Sequence, residues 1–336
     1  MFRFHTLFMA IVAICLASSC KDNTNYLSTV TGKAWEVGIV MDRVNWEGEL
    51  GMAMRSVMGA EHPFLPQPEP LFTIFNISDR AFTSIFQHHR NLILVRISPE
   101  FSDTKMVIQK DLWARSQIVV TLSGPRADSI LIVFESSKEK LVSAIEQAER
   151  NRVIANSKKY EDKSLRMLVN ESFGGSPYFP AGYALRKQAK DFIWISYETT
   201  YTSQGILIYC YPYVDANSLS KATMLKERNT VLQREVPGQL ANSYMTTYTG
   251  MGGEPSLRWV HYDHRDFAEL RGLWEVQNDF MGGPFISHSY LDAHNSRVLV
   301  LEAFVYSPSS EKRNYIRQTE SILYSFAWLD DQEQEK

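Results

Sequence analysis

The stretch FGGSPYFPAG, residues 173–182, limits the possible folds of this chain more than any other part of the sequence. Two glycines are followed there by two prolines, a composition that ends helices and strands and favours a loop. On both sides of the stretch, apolar runs typical of strands alternate with amphipathic patterns typical of helices. We therefore predict a boundary here between an N-terminal domain, residues 34–172, and a C-terminal domain, residues 173–336.

In the first half, apolar runs predict strands at WEVGIVM, LFTIFN and NLILVRI. The runs QIVVTLSG and SILIVFE are interpreted as a hairpin that turns at Gly124 and Pro125. A helical pattern with a charge-rich middle then runs from residue 137 to about residue 170. A helix of this kind is typical of a solvated bridge between two units.

In the second half, YALRKQAKDFIWISYET and the pair PFISHSY and RVLVLEAFVY predict hairpins. SLRWVHYDH and AELRGLWEVQ alternate like strands, and SSEKRNYIRQTESILYSF has the spacing of an amphipathic helix. Each half thus predicts several strands, mostly antiparallel, with helices on one face. We predict an α+β fold of two sheet-plus-helix units joined by a long helix.

The amino terminus predicts export and lipid attachment. Arg3 precedes the apolar run Leu7–Ala17, which has the layout of a signal peptide and is shorter than the roughly 20 residues that span a bilayer. Leu16 to Cys20, LASSC, resemble a bacterial lipobox, in which the cysteine carries acyl chains such as palmitate after cleavage. We expect a signal peptide at 1–19, lipidation of Cys20 and a tether at 20–33; the alternative is an ordinary cleaved signal peptide.

This anchor predicts a protein of the cell envelope in a Gram-negative bacterium. The membrane is the partner expected from the acyl chains, with the outer membrane as the location and the body facing the periplasm or the cell surface. The net charge of -3 and the lack of a strong basic patch argue against nucleic acid as a partner.

Once Cys15 is removed and Cys20 is acylated, Cys210 is the remaining cysteine, so the mature chain forms no internal disulfide. Its apolar surroundings predict a small buried side chain.

Five segments carry a resemblance to a known family: MDRVNWEGELG, EPLFTIFN, DFIWISYE, AELRGLWEVQNDFMGGPF and FVYSPSSEKRNYI. They resemble the uncharacterised bacterial envelope lipoproteins described as domain of unknown function 4837. The resemblance runs from about Trp35 to Phe326, and its most specific motifs are RGLW at 271–274 and MGGPF at 281–285. It implies a lipoprotein of similar length with no assigned activity, so no catalytic residues carry over.

The segment RGLWEVQNDFMGGPF is the preferred candidate for ligand binding. Its polar side chains end a predicted strand beside a glycine pair, and such strand ends commonly form ligand sites. A tryptophan in NWEGELG is a second candidate, as an aromatic binding platform. The alternative places the segment's tryptophan in the core, with its arginine paired to Glu275. The candidate residues are Arg271, Trp274, Glu275, Asn278, Asp279 and Trp46.

Motifs for phosphate loops, dinucleotides, nucleophile elbows and zincin helices are not found in the sequence. RWVHYDHRD puts His261 and Asp263 on one strand face near Asp266, too few aligned ligands for zinc, so we expect a polar strand edge, no metal and no cofactor. The sequence therefore favours a non-enzymatic module that binds an envelope protein or a small ligand. The alternative is an envelope hydrolase that uses Glu275 and Asp279 as an acid/base pair.

Overall fold

The computed structural model describes residues 27–308 and 310–334. Its elements form a five-stranded and an eight-stranded sheet with helices packed on them, which confirms the predicted α+β class. None of the described helices is both long and apolar enough to cross a membrane. The predicted signal peptide, Cys20 and the tether up to residue 26 lie outside the described residues.

The first sheet is mostly parallel, although the sequence predicted mostly antiparallel strands. In chain order the strands are β2 Glu36–Val40, β3 Thr73–Ile77, β4 Asn91–Ile97, β5 Lys105–Lys110 and β7 Ile118–Gly124, and the short β1 Ser28–Thr29 pairs with β6 Ala114–Arg115. β3, β2, β4 and β7 pair in parallel, and β5 joins β7 antiparallel at one edge. Helical segments connect β2 to β3 and β3 to β4, and connections of this kind allow parallel pairing.

Helices cover one face of this sheet much more fully than the other. Packed on the covered face are α2 (Glu49–Met58) and α4 (Ala127–Lys159), which bury Met54, Phe134 and Leu141 among others. The remaining helices of this half are short: α1, Arg43–Glu47, is capped by Asp42, and α3, Ser84–Gln87, follows β3. The predicted hairpin of QIVVTLSG and SILIVFE, residues 117–135, is wrong, because SILIVFE lies in the first turns of α4.

The second sheet is antiparallel throughout its described pairings. The strands are β9 Ala184–Ala189, β10 Phe192–Glu198, β11 Ser203–Pro212, β12 Met245–Thr247, β13 Ser256–Tyr262, β14 Arg265–Val276, β15 Gly282–Asp292 and β16 Arg297–Tyr306. Their spatial order is β12, β14, β15, β16, β11, β10, β9, with β13 also paired to β14. The two hairpins predicted from sequence are confirmed as β9–β10 and β15–β16.

Both faces of the second sheet carry a helix-covered core. On one face lie α5 (Lys163–Phe173) and α7 (Arg313–Tyr324), and on the other lies α6 (Lys221–Glu235). The final amphipathic helix predicted from sequence is confirmed as α7, and its N-cap is Lys312. The remaining elements are β8 Gly175–Ser176 paired with β17 Ala327–Trp328, a 3-10 helix Ala216–Leu219 and α8 Leu329–Gln334.

Helix α4 joins the two units, as predicted. It buries Ile130 and Ile145 in the first core, and Ile154 near its end packs against the second. The helix ends at Lys159, and the Asp162 side chain caps α5, so the predicted continuous helix to about residue 170 is two helices. The side chains of α5 pack on the second sheet. The domain boundary between residues 172 and 173 stays a prediction.

Candidate ligand-binding cleft

A charged cleft lies where the second sheet and α7 meet α4 and the loop after α2. Its inner chamber has a volume of about 50 Å³, and an outer chamber of about 320 Å³ continues from it. We call the two chambers together the arginine cleft. Both are lined by His62, Glu146, Arg258, Arg271 and Arg317, and the inner one also by Arg150 and Glu320.

Arg271 and Arg258 reach the cleft from neighbouring strands because the register pairs Arg258 of β13 with Glu269 of β14. The guanidinium of Arg258 donates to both oxygens of Glu269 at 2.6 and 3.0 Å. Arg271 donates to Glu269 at 2.6 Å and to Glu320 of α7 at 2.5 Å. Such charge-assisted, forked contacts hold the arginine donors in fixed positions.

Burial and charge act in opposite directions on these groups. Burial alone would lower the pKa of Arg271, but the carboxylates of Glu320 and Glu269 more than offset it and raise that pKa. Burial alone would raise the pKa of Glu269, but Arg271 and Arg258 hold it well below its usual value. Arg271 and Glu269 are therefore both charged at neutral pH.

Arg317 and Arg150 enter the cleft from the two helices. Arg317 of α7 donates to Glu146 and to the Leu71 carbonyl, both at 2.8 Å, and burial lowers its pKa to about 10. Its guanidinium lies 4.2 Å from the ring centre of Trp35. Arg150 of α4 lies 3.7 Å from the ring centre of Tyr324, in a cation–π contact.

The cleft carries one more positive than negative charge. Four arginines (150, 258, 271 and 317) stand against three glutamates (146, 269 and 320), and four minus three leaves one. In a partly enclosed site, where water screens charges less than at a surface, this excess favours an anion.

His62 adds a hydrogen-bond acceptor to the cleft. Its Nδ1 lies 2.9 Å from the Pro63 carbonyl, which only accepts, so we assign the proton to Nδ1. Burial, with Arg317 and Arg271 nearby, lowers the pKa of His62 to about 3. The imidazole is therefore neutral, and its Nε2 lone pair is available to a donor.

His288 lies behind Glu269, fully buried, with its Nε2 3.8 Å from the carboxylate. Its ring stacks on Phe267 at 4.2 Å between centroids. Burial lowers the pKa of His288 to about 3, so this residue is neutral as well. It adds no charge beside Glu269, and neither of its ring nitrogens has a hydrogen-bond partner among the described residues.

Arg271 is the predicted ligand-binding residue that the structure places in the cleft. Its ion-pair partners are Glu269 and Glu320, so the alternative pairing with Glu275 is wrong. Trp274 points to the opposite face of β14, is only 3% exposed and donates to the Val305 carbonyl at 3.3 Å. Ligand binding by Trp274 stays a prediction.

The other predicted residues lie apart from the arginine cleft. Glu275 stands opposite Gly282 in the register, and Asn278 and Asp279 form the turn after β14. Asn278 adopts a φ of +64°, and Asp279 accepts the Phe280 backbone N–H at 2.7 Å. Trp46 lies in α1 under the guanidinium of Arg55, 4.6 Å from its ring centre. For these residues, ligand binding and the acid/base alternative stay predictions.

The strand edge considered for a metal holds two ion pairs. His261 lies 2.7 Å from Asp266, and Asp263 lies 2.8 Å from Arg265. Within residues 27–308 and 310–334, no group of three or more histidine, cysteine, aspartate and glutamate side chains is placed to hold a metal.

Cys210 is half-buried rather than fully buried, and burial raises the pKa of its thiol.

Residues 162–325 match the family model described as a domain of unknown function, DUF4837. The predicted resemblance to this family is confirmed over that range. The resemblance to DUF4837 predicted from sequence extended over the first half of the chain as well. Residues 30–158 instead match a second model, described as a domain of unknown function, DUF8532. No curated protein matches the chain.

Among solved structures, the chain is similar to the Ran-binding protein Mog1p of Saccharomyces cerevisiae, with a TM-score of 0.31 and 9% identity over 47% of this chain and 92% of that one. It is also similar to a mutant of protein Mog1, with a TM-score of 0.28 and 9% identity over 48% and 93% of the two chains. Similarity at this level carries no functional argument.

Proposed function

We propose that this protein is a lipid-anchored protein of the bacterial cell envelope that binds a small anionic molecule in the arginine cleft, without catalysing a reaction. The lipid anchor is the one expected at Cys20. The anionic ligand is supported by one observation above all: four arginines surround a partly enclosed cleft in which three carboxylates leave a positive excess.

The dimensions of the cleft favour a small molecule. The outer chamber, of about 320 Å³, is at the lower end of the 300–1,000 Å³ typical of small-molecule sites, which are concave and carry a few fixed polar groups. The inner chamber, of about 50 Å³, is large enough only for the charged group of such a molecule. A carboxylate or phosphate group fits the inner arginines, because a guanidinium presents paired N–H donors to both.

Arg258 is the residue best suited to a test, because its side chain is 60% exposed and lines both chambers. We expect Arg258→Gln to weaken binding of a phosphate or carboxylate probe at least about tenfold, since a hydrogen bond to a charged group contributes about 1.5–3 kcal/mol. Isothermal titration of the purified chain with inorganic phosphate, glycerol phosphate and succinate measures this.

The matched control is Arg43→Gln, which removes an exposed arginine of α1 that is paired to Glu47. It should bind all three probes as the unchanged protein does. Equal binding by the two variants, or no heat of binding from any probe, would contradict the proposed ligand site. The anchor is tested separately, because Cys20→Ser should release the protein from membranes and remove the acyl mass while leaving probe binding intact.

A further inference from the structure

We infer that the less covered face of the first sheet rests on the membrane to which the chain is anchored; this inference depends on the lipid anchor in the proposed function. We call this surface the outer face. Its buried layer is formed by Val40, Ile77, Leu92, Leu94 and Val119. The opposite face carries α2 and α4, and α4 in turn contacts the second unit.

The outer face carries several large apolar side chains that are partly or largely exposed. Above its buried layer lie Phe75, Phe82, Phe86 and Trp113, all partly exposed, with Phe82 and Trp113 in edge-to-face contact at 5.7 Å. Next to them Ile85 is 78% exposed. A contiguous apolar surface of this kind marks an interaction site.

Two further apolar side chains extend the outer face at its edge. Leu112 precedes Trp113 and is exposed. Val107 of the edge strand β5 is also exposed, and it pairs with Thr121, which puts it on the same face as Val119. The apolar surface therefore extends from the helix α3 to the edge of the sheet.

The anchored end of the chain enters the fold beside this surface. Ser28 and Thr29 pair with Ala114 and Arg115, directly after Trp113. Thr31 then donates its backbone N–H to the His88 carbonyl at 2.8 Å, next to α3. Both contacts place the start of the described chain at the border of the outer face.

The chain between Cys20 and Leu27 is too short to let the body sit far from the bilayer. Seven residues span at most about 25 Å when fully extended, at roughly 3.3–3.6 Å each. A lipid on Cys20 therefore keeps Leu27, and the outer face beside it, within that distance of the membrane surface. This limit is why we choose a lipid surface as the occupant rather than a second copy of the chain.

The charges around the outer face suit lipid headgroups. Lys105 and Arg115 are exposed at its edge, and basic side chains beside an apolar surface are typical of proteins that lie on membranes. Of the acids nearby, Asp79 pairs with Arg96 at 2.6 Å, and Asp111 accepts the Gln117 backbone N–H at 3.1 Å. We expect Ile85, Leu112 and Trp113 to enter the boundary between headgroups and acyl chains.

The test places a fluorescent label on the outer face of the full-length, lipidated protein. A Cys210→Ser background leaves no other reactive thiol once Cys20 is acylated. Ile85→Cys is labelled with an environment-sensitive dye, and the protein is reconstituted in vesicles of phosphatidylethanolamine and phosphatidylglycerol at 3:1. The matched control is Ile132→Cys, because Ile132 is 71% exposed on α4, the helix that packs on the opposite face.

We expect a nitroxide-labelled lipid to quench the dye at position 85 at least about twofold more than the dye at position 132. Flotation of the vesicles is measured first. Protein that floats with equal quenching at both positions overturns the inference and leaves the anchor intact, and self-quenching between dyes at position 85 would then identify a second copy on the outer face. Protein that does not float overturns both the anchor and the inference.

Discussion

The ion pair between Arg228 of α6 and Glu302 of β16 links the helix to the sheet inside the second core. The two side chains are 1% and 0% exposed. Arg228 donates to the two Glu302 oxygens at 2.9 and 2.7 Å and to Thr247 at 2.6 Å. Its guanidinium also lies 3.7 Å from the ring centre of Phe285. All three guanidinium nitrogens thus donate a hydrogen bond in a buried site, where a lone charge is very unfavourable.

We expect Glu302→Leu to lower the free energy of unfolding by about 3–5 kcal/mol, because it leaves the charge of Arg228 buried without a partner. The double variant Arg228→Met with Glu302→Leu removes both charges and should recover most of that loss, since apolar residues of similar volume often replace a buried pair at no cost. The difference in unfolding free energy between the single and the double variant measures the cost of leaving the charge of Arg228 buried without a partner. It does not measure how much the intact ion pair stabilises the fold.

Urea unfolding followed by tryptophan fluorescence measures both variants. The control is the exposed pair Arg43–Glu47, whose side chains are 85% and 61% exposed, and Glu47→Leu there should leave the unfolding midpoint unchanged. The reasoning is refuted if Glu302→Leu costs less than about 1 kcal/mol, or if adding Arg228→Met lowers stability further instead of restoring it.

Two further predictions concern pH and helix capping. The folded-state pKa of His288 is about 3, below the value of about 6.5 in an unfolded chain. Below pH 6.5 the unfolded chain therefore binds a proton at this residue and the folded chain does not, so the free energy of unfolding falls as the pH drops from 6.5 towards 3. Between pH 7 and 5 that loss is about 2 kcal/mol, and His288→Phe should abolish it; an unchanged dependence of the urea midpoint on pH would contradict this. Asp162 accepts the backbone N–H groups of Ser164 and Leu165 at 2.9 and 3.3 Å, so Asp162→Ala should cost about 1 kcal/mol and Asp162→Asn much less. Equal urea midpoints for these two variants would count against the cap.

The sequence predicts the second half of the fold well because its strands are signalled locally. Side chains of β14 alternate between the two faces, and the two hairpins turn within a few residues. The first half is harder to predict, because parallel pairing depends on crossovers that bring distant segments together. SILIVFE was interpreted as a strand from its β-branched residues, but Ile130 and Phe134 are four apart and continue the buried stripe of α4.

Of the residues predicted from sequence, Arg271 alone lies in the arginine cleft, and it lies in the middle of β14 rather than at the strand end. The helical contributors, Glu146, Arg150 and Arg317, have the appearance of an ordinary solvated face in sequence, and only the packing of α4 against α7 brings them together. One signal was available. Arg313, Arg317 and Glu320 recur at helical spacing on α7, and all three are buried.

Helix α4 also fixes how the chain can vary in length. Each residue adds about 100° of rotation and 1.5 Å of rise, and Ile154 at the second core lies nine positions after Ile145 in the first. Removing one residue between them would turn Arg150 away from Tyr324 while leaving both sheets unchanged in sequence. Homologous chains that keep the arginine cleft should therefore tolerate insertions in their loops but preserve the number of residues in this segment.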